Sequence, residues 1–179
     1  MKQKVICVGQ PKTGTTSLGE ALRLLGYNVA GWNPLLLDQF GKGEIQGIIT
    51  AYEQYDAFVD LPWSHPLVFP LLESRDPSAV FIQTIRPEES WNQSVQRHFA
   101  STRTPDRYRI VDFEKKATGL VSQYIERNIQ VRKYLSEKNR KILVIDISKG
   151  DTWSELQAFL GLHLNAATMS FPHLNRSEQ

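Results

Sequence analysis

Val8-Gly9-Gln10-Pro11-Lys12-Thr13-Gly14-Thr15-Thr16-Ser17-Leu18 decides the fold, because a glycine-bounded loop here separates an apolar run from an amphipathic one. The run Lys2 to Val8 is rich in β-branched residues and ends at Gly9, which predicts a short buried strand. Leu18, Ala21, Leu22 and Leu25 then recur at i, i+3, i+4 and i+7, one face of a helix that stops at Gly26. Strand, loop and helix in this order make an anion site: the first N–H groups of a helix lack partners, and the positive end of its dipole lies beside them. Thr15, Thr16 and Ser17 add hydroxyl donors, and Gly14 lets the backbone close around an oxyanion without a Cβ in the way.

The loop departs from a Walker A signature in one respect. Gly9 and Gly14 have the separation of G-x-x-x-x-G-K-[ST], but Thr15 stands where the lysine belongs. The lysine is Lys12, ahead of the second glycine, so it approaches a phosphate chain from another side.

Further along, Ile45 to Tyr52 is expected to be helical, and Ala57-Phe58-Val59 before Asp60 is a short strand. Asp76-Pro77 breaks the chain ahead of a strand at Val80 to Ile85. Pro87, Glu88 and Glu89 open a helix, since proline needs no N–H partner in a first turn and acids suit the positive helix end. Thr102 to Asp106 reads as a loop before a long helix from Phe113 to Lys138, striped by Phe113, Ala117, Leu120, Tyr124, Val131 and Leu135. A strand over Ile142 to Ile147 and a helix opened by the capping box Thr152-Trp153-Ser154-Glu155 and closed at Gly161 complete the order. Alternating strands and helices predict an α/β fold. It is a P-loop-like three-layer domain spanning 1–179, with a mostly parallel central sheet of about four to five strands.

A chain of 179 residues with 41% hydrophobic composition can bury one α/β core and is short for two. A net charge of +2, with no lysine or arginine run, gives no footing for nucleic acid. Basic residues between Arg97 and Arg109 read as a solvated helix end and loop, with anion or acceptor binding as the alternative. Cys7 is the only cysteine, so no disulfide forms within the chain, and its place in the first strand predicts an inert core thiol. No signal-peptide pattern and no apolar stretch of about 20 residues appears, which leads to the expectation of a soluble, cytoplasmic protein without a membrane span. No His or Cys pair has metal-ligand spacing, so no metal is expected.

In a parallel sheet, ligands gather beyond the carboxyl ends of the strands. Lys12 with its loop, Asp60 and Arg86 each follow a predicted strand and would meet at that edge. Ser94 lies eight residues beyond Arg86, about two helical turns on, and a guanidinium with a nearby hydroxyl can grip one phosphate.

Pro11 to Leu18, Arg86 with Ser94, and the segment Ile85 to Val95 together resemble the sulfotransferases that use 3′-phosphoadenosine 5′-phosphosulfate (PAPS), in particular the short P-loop-type members. Gly150-Asp151-Thr152-Trp153, Phe159-Leu160-Gly161 and Phe171-Pro172-His173-Leu174-Asn175 are similar to that family as well. The likeness is weakest over Val29 to Tyr55 and Phe99 to Asn139, where acceptor specificity would lie. The resemblance implies that Pro11, Lys12, Thr13, Gly14, Thr15, Thr16 and Ser17 hold the 5′-phosphosulfate, with Lys12 neutralising the leaving oxygen. It implies that Arg86 and Ser94 hold the 3′-phosphate, and that the product is adenosine 3′,5′-bisphosphate (PAP).

For the base, cytosolic members carry a histidine before Leu-Pro, whereas this chain has Asp60-Leu61-Pro62. A carboxylate with an ordinary pKa of about 3.9 is a weak base, so its surroundings would have to raise it. His65, five residues on, competes, and Asp38 and Glu53 rank below both. The acceptor implied is a small molecule or carbohydrate, with Trp32, Trp63, Phe69 and Trp91 either lining its cavity or forming core. A homo-oligomeric partner could complete so short a chain's acceptor pocket. Two other functions compete: a P-loop small-molecule kinase or nucleotide hydrolase with Asp146 as its strand-end aspartate, and a non-catalytic nucleotide-binding module.

Overall fold

Two residue patterns with different periods build the layers. Along the first strand, Val5 and Cys7 face one way and Ile6 and Val8 the other, and all four are buried. Such a strand is covered on both faces, which explains its unbroken apolar run. The computed structural model describes residues 2–101, 113–149, 152–162 and 170–174.

The described chain runs β1 (Val5–Cys7), α1 (Thr15–Leu24), β2 (Val29–Ala30), α2 (Pro34–Gly41), α3 (Gln46–Gln54), β3 (Ala57–Phe58), α4 (Val68–Arg75), β4 (Val80–Ile85), α5 (Glu88–Ser101), α6 (Phe113–Glu137), β5 (Ile142–Asp146) and α7 (Thr152–Leu160). The five strands lie in the order β2-β3-β1-β4-β5, and every pairing is parallel. This is the α/β fold expected from the alternation of elements.

On one face, Val5, Cys7, Ala57, Val80 and Ile82 pack against Leu18, Ala21 and Leu22 of α1 and Trp153 and Leu156 of α7. On the other, Ile6, Phe58 and Phe81 meet Ile48 of α3, Phe69 and Leu72 of α4, and Val131 and Leu135 of α6. Leu18 and Leu22 are fully buried, each worth about 1.5–3 kcal/mol against exposure. α1 ends at Leu24, and Gly26 supplies the left-handed turn at φ 78° that follows.

Three elements go beyond the expectations. α2 begins at an N-cap, Asn33, whose side-chain oxygen accepts the Leu36 N–H at 3.0 Å, with Pro34 in the first turn. The signal was present, but Leu35-Leu36-Leu37 hides any period. α4 contains Pro70 in its first turn, where no intrahelical N–H is needed, so a residue that looks like a breaker is accommodated. β2 is two residues long, too short for alternation to register. α4 is tied to the end of α6 by buried Glu73, which pairs with Arg140 at 2.5 Å and accepts the Tyr134 hydroxyl at 3.0 Å.

The expected loop at Thr102 to Asp106, the side chains of Phe113 and Ala117, residues Gly150 and Asp151, and the tail beyond Leu174 lie outside the described residues. Among the described residues, no helix is long and apolar enough to cross a membrane.

Candidate functional site

β1 sits at the centre with β3 and β4 on either side, in the registers Val5↔Ala57 and Val5↔Val80. Because all three strands are parallel, the loop after β1, Asp60 after β3 and Arg86 after β4 emerge at one edge. The sheet order also reverses at β1, since the chain builds β2 and β3 on one side and β4 and β5 on the other.

The loop is held from below. Gly9 passes so close to Thr84 of β4 that a Cβ there would overlap Thr84 Oγ1 and stand 2.8 Å from its backbone N and O. Thr13 is buried, its hydroxyl donating to Gln10 O at 2.5 Å and sharing a 2.6 Å hydrogen bond with Thr84 Oγ1. Ser17 Oγ accepts the Leu174 N–H at 3.0 Å, and Thr15 Oγ1 donates to Asp60 Oδ2 at 3.3 Å. Three of the four hydroxyls expected near an anion therefore already have partners within the protein, while Thr16 is exposed.

What the loop presents is backbone. Gly14 takes φ 96° at the start of α1 without any side-chain cap, so the first-turn N–H groups point outward uncapped. Lys12 is held at φ 71° and Asp60 at φ 69°, two of three described non-glycine residues with positive φ. Such backbone is costly away from glycine and gathers at functional sites.

Positive charge gathers at the same place. Lys12 has its pKa lowered, first by burial, then by the charge of Arg86, with Arg97 adding to the effect and Asp60 opposing it. Arg86 therefore lies within electrostatic reach of the Lys12 ammonium. The Arg86 guanidinium is steadied by its Nε donating to Ser90 Oγ at 2.7 Å, one turn short of Ser94. The backbone of Arg86 is clamped at both ends: its N–H donates to the Tyr124 hydroxyl at 2.9 Å, and that hydroxyl donates to its carbonyl at 2.8 Å. Tyr124 also stacks on Trp91 at 4.3 Å, and the Trp91 indole N–H donates to Pro11 O at 3.0 Å.

α6 thereby braces the whole arrangement, a role that strand-end reasoning missed. Gln10 Nε2 donates to Tyr124 O at 2.9 Å and Asn128 Oδ1 at 3.3 Å, and Gln83 Nε2 donates to the same Asn128 side chain at 3.2 Å. The apolar stripe of α6 was visible in sequence, but its polar members at the loop were not.

Asp60 Oδ1 accepts the Leu61 N–H at 2.9 Å, which, with the Thr15 contact, orients the carboxylate beside the loop. His65 lies farther along the same segment, its Nδ1 accepting the Leu67 N–H at 3.2 Å and its ring edge-on to Phe40. Burial and then the Arg127 charge lower its pKa, which keeps it neutral near pH 7. His98 on α5 is a further titratable group near the loop. It follows Trp91 and Val95 at helical spacing, and its pKa is lowered by burial and by Lys12 while Asp60 raises it, so both groups lie within its electrostatic reach. Its signal in the sequence was the helical period shared with Trp91.

Asp38 pairs with Lys42 at 2.9 Å and Glu53 with Arg75 at 3.8 Å. Asp146 is turned back into its own strand end, accepting the Ser148 N–H at 3.0 Å and the Ser148 hydroxyl at 2.6 Å. Trp63, Phe69 and Trp91 are core, and Trp32 is half exposed. Burial raises the Cys7 thiol pKa to about 11, in keeping with an inert core residue. Among the described residues, no cluster of three His, Cys, Asp or Glu is placed to hold a metal ion.

A family model described as a sulfotransferase domain matches residues 4–122, which takes in the loop, Asp60, Arg86 and Ser94. No curated protein matches significantly. Among solved structures, shikimate kinase from Bacteroides thetaiotaomicron superposes with a TM-score of 0.56 at 16% identity, over 89% of this chain and 99% of that one. At that identity the likeness shows the shared P-loop α/β fold alone.

Proposed function

The chain belongs to the sulfotransferase domain family, and on that premise we propose that it transfers a sulfuryl group from PAPS to a hydroxyl or amine of a small-molecule or carbohydrate acceptor. The observation that supports this most is the uncapped start of α1, with Asp60 held beside it by Thr15 and with Lys12 and Arg86 in electrostatic reach of one another. An adenylated donor with a phosphate at each end of its ribose has the charge and span that two separate cations ask for.

When bound, the donor supplies the sulfuryl group, whose sulfur–oxygen bond to the 5′-phosphate breaks as a bond to the acceptor oxygen or nitrogen forms. The first-turn N–H groups of α1 hold the anion there, and Lys12 stabilises charge that builds on the leaving oxygen. Arg86, its backbone fixed by Tyr124, grips the 3′-phosphate, with Ser94 two turns along α5 as the second contact. Asp60 takes the acceptor's proton, oriented by Leu61 N–H and Thr15. His98, within electrostatic reach of Lys12 and Asp60, and His65 are the alternative groups for that proton.

Calorimetric titration tests the donor assignment. PAP is expected to bind without added metal and more tightly than ATP with Mg²⁺; tight ATP binding with no PAP binding overturns it in favour of a kinase or hydrolase. Arg86→Ala should weaken PAP about 10–100-fold, the worth of charge-assisted hydrogen bonds.

For the base, Asp60→Asn is the informative change, because asparagine tolerates the positive φ and keeps the fold. It is expected to leave PAP affinity within a factor of about two and lower transfer about 10²-fold. Full transfer in that variant, together with a loss in His98→Asn, would move the role to His98.

A further inference from the structure

Among the described residues, no acid pairs with the guanidinium of Arg127 on α6. It donates to Ser64 O at 2.8 Å and lies 5.1 Å over the ring of Phe69, and burial alone lowers its pKa, with no carboxylate to offset the cost. Arginine offers five N–H donors in a rigid fork, and a single carbonyl leaves most of them for something else. A desolvated cation with no counter-charge is expensive to keep, which makes an absent anion the natural complement.

The same side chain lines a cavity of about 310 Å³. Its other walls include Gln10 and Pro11 of the phosphate loop and Leu61, Ser64 and Pro66 of the segment after β3. Two of these wall residues, Pro11 and Leu61, are the chain neighbours of Lys12 and Asp60, which themselves do not line the cavity. Its size suits a small ligand, and its mixed walls suit one with an apolar body and a polar end.

We propose that this cavity is the acceptor pocket and that Arg127 makes it select acceptors bearing a carboxylate or similar oxyanion alongside the reacting hydroxyl. This rests on the sulfotransferase reading above. The anion docks on Arg127 at one end, which leaves the hydroxyl free to point toward Asp60 and the loop.

Two pairs of probes differ only in the anion: 4-hydroxybenzoate against 4-hydroxybenzamide, and glucuronate against glucuronamide. Titrated calorimetrically into PAP-saturated protein, at least one acid is expected to bind ten times or more tighter than its amide. In Arg127→Gln that preference should vanish while PAP affinity stays within twofold. Because Arg127 is half-buried, a second variant guards against misfolding. Gln123→Glu alters an exposed residue that also lines this cavity, one turn before Arg127 on α6; its carboxylate would pair with Arg127 and repel a bound anion, so it should also erase the preference.

Equal affinities within both pairs, no detectable binding of either acid, or a preference that survives both substitutions would overturn the assignment of Arg127. Failure of PAP itself to bind would instead remove the sulfotransferase reading, so the two failures are distinct.

Discussion

Replacing Lys12 by alanine is expected to lower sulfuryl transfer about 10³-fold while weakening PAP binding by no more than about tenfold. The asymmetry follows from where the ammonium stands. Lys12 lies before Gly14 rather than after it, half-buried beside the loop and within reach of the Arg86 charge, which together with burial disfavours its own protonated form. Its charge gains most when negative charge appears on the leaving oxygen, and an interaction that strengthens only in the transition state raises turnover more than affinity. Alanine suffers much the same backbone strain at φ 71° as lysine does, so thermal stability should scarcely move. Single-turnover transfer alongside calorimetric PAP titration separates the two effects. Equal losses in rate and affinity would reduce Lys12 to a binding residue.

The largest effect on stability belongs to Gly9→Ala, expected to destabilise the fold by about 3 kcal/mol or more. A methyl group there would run into the side chain of Thr84 and also its backbone N and O, neither of which can rotate away. Relief requires β1 and β4 to separate at the point where Val8 N–H donates to Ile82 O at 2.9 Å. Gly14→Ala is a useful contrast, since its Cβ would meet only the side chain of Ile147, with Cδ1 at 3.1 Å and Cβ at 3.4 Å, and its cost lies mainly in the φ of 96°. Urea unfolding of both variants measures the difference. A Gly9→Ala loss below about 1 kcal/mol would mean that the strand pair yields more easily than its packing implies. The first glycine of this loop is thus required by the neighbouring strand as much as by any phosphate.

Elements with a sustained period were legible. α1, α5, α6 and α7 each begin or end near the positions expected, and β4 and β5 follow their apolar runs. α2 and α4 were not, because three consecutive leucines and an internal proline mask a stripe that only packing against the sheet brings out. The placing of Lys12, Asp60 and Arg86 at one sheet edge was legible for one shared reason: each stands within a few residues of the end of an apolar strand, and the strands are parallel. Tyr124, Asn128, Arg127 and His98 were not, since each lies on a helix whose rotation about its own axis decides whether it meets the loop or water. The use made of the hydroxyls of Thr13, Thr15 and Ser17 was equally hidden, as their partners Thr84, Asp60 and Leu174 are 71, 45 and 157 residues away.

Local chemistry alone determined the succession of strand, loop and helix, the parallel sheet that follows from it, and the edge at which the loop, Asp60 and Arg86 emerge. Tertiary structure decided what surrounds that edge: which hydroxyls turn inward, which helix clamps Arg86, and which arginine lines the neighbouring cavity. The division has a physical cause. Periodicity and capping act between neighbours in the chain, whereas the pairing of buried polar groups depends on contacts that exist only after distant segments have packed.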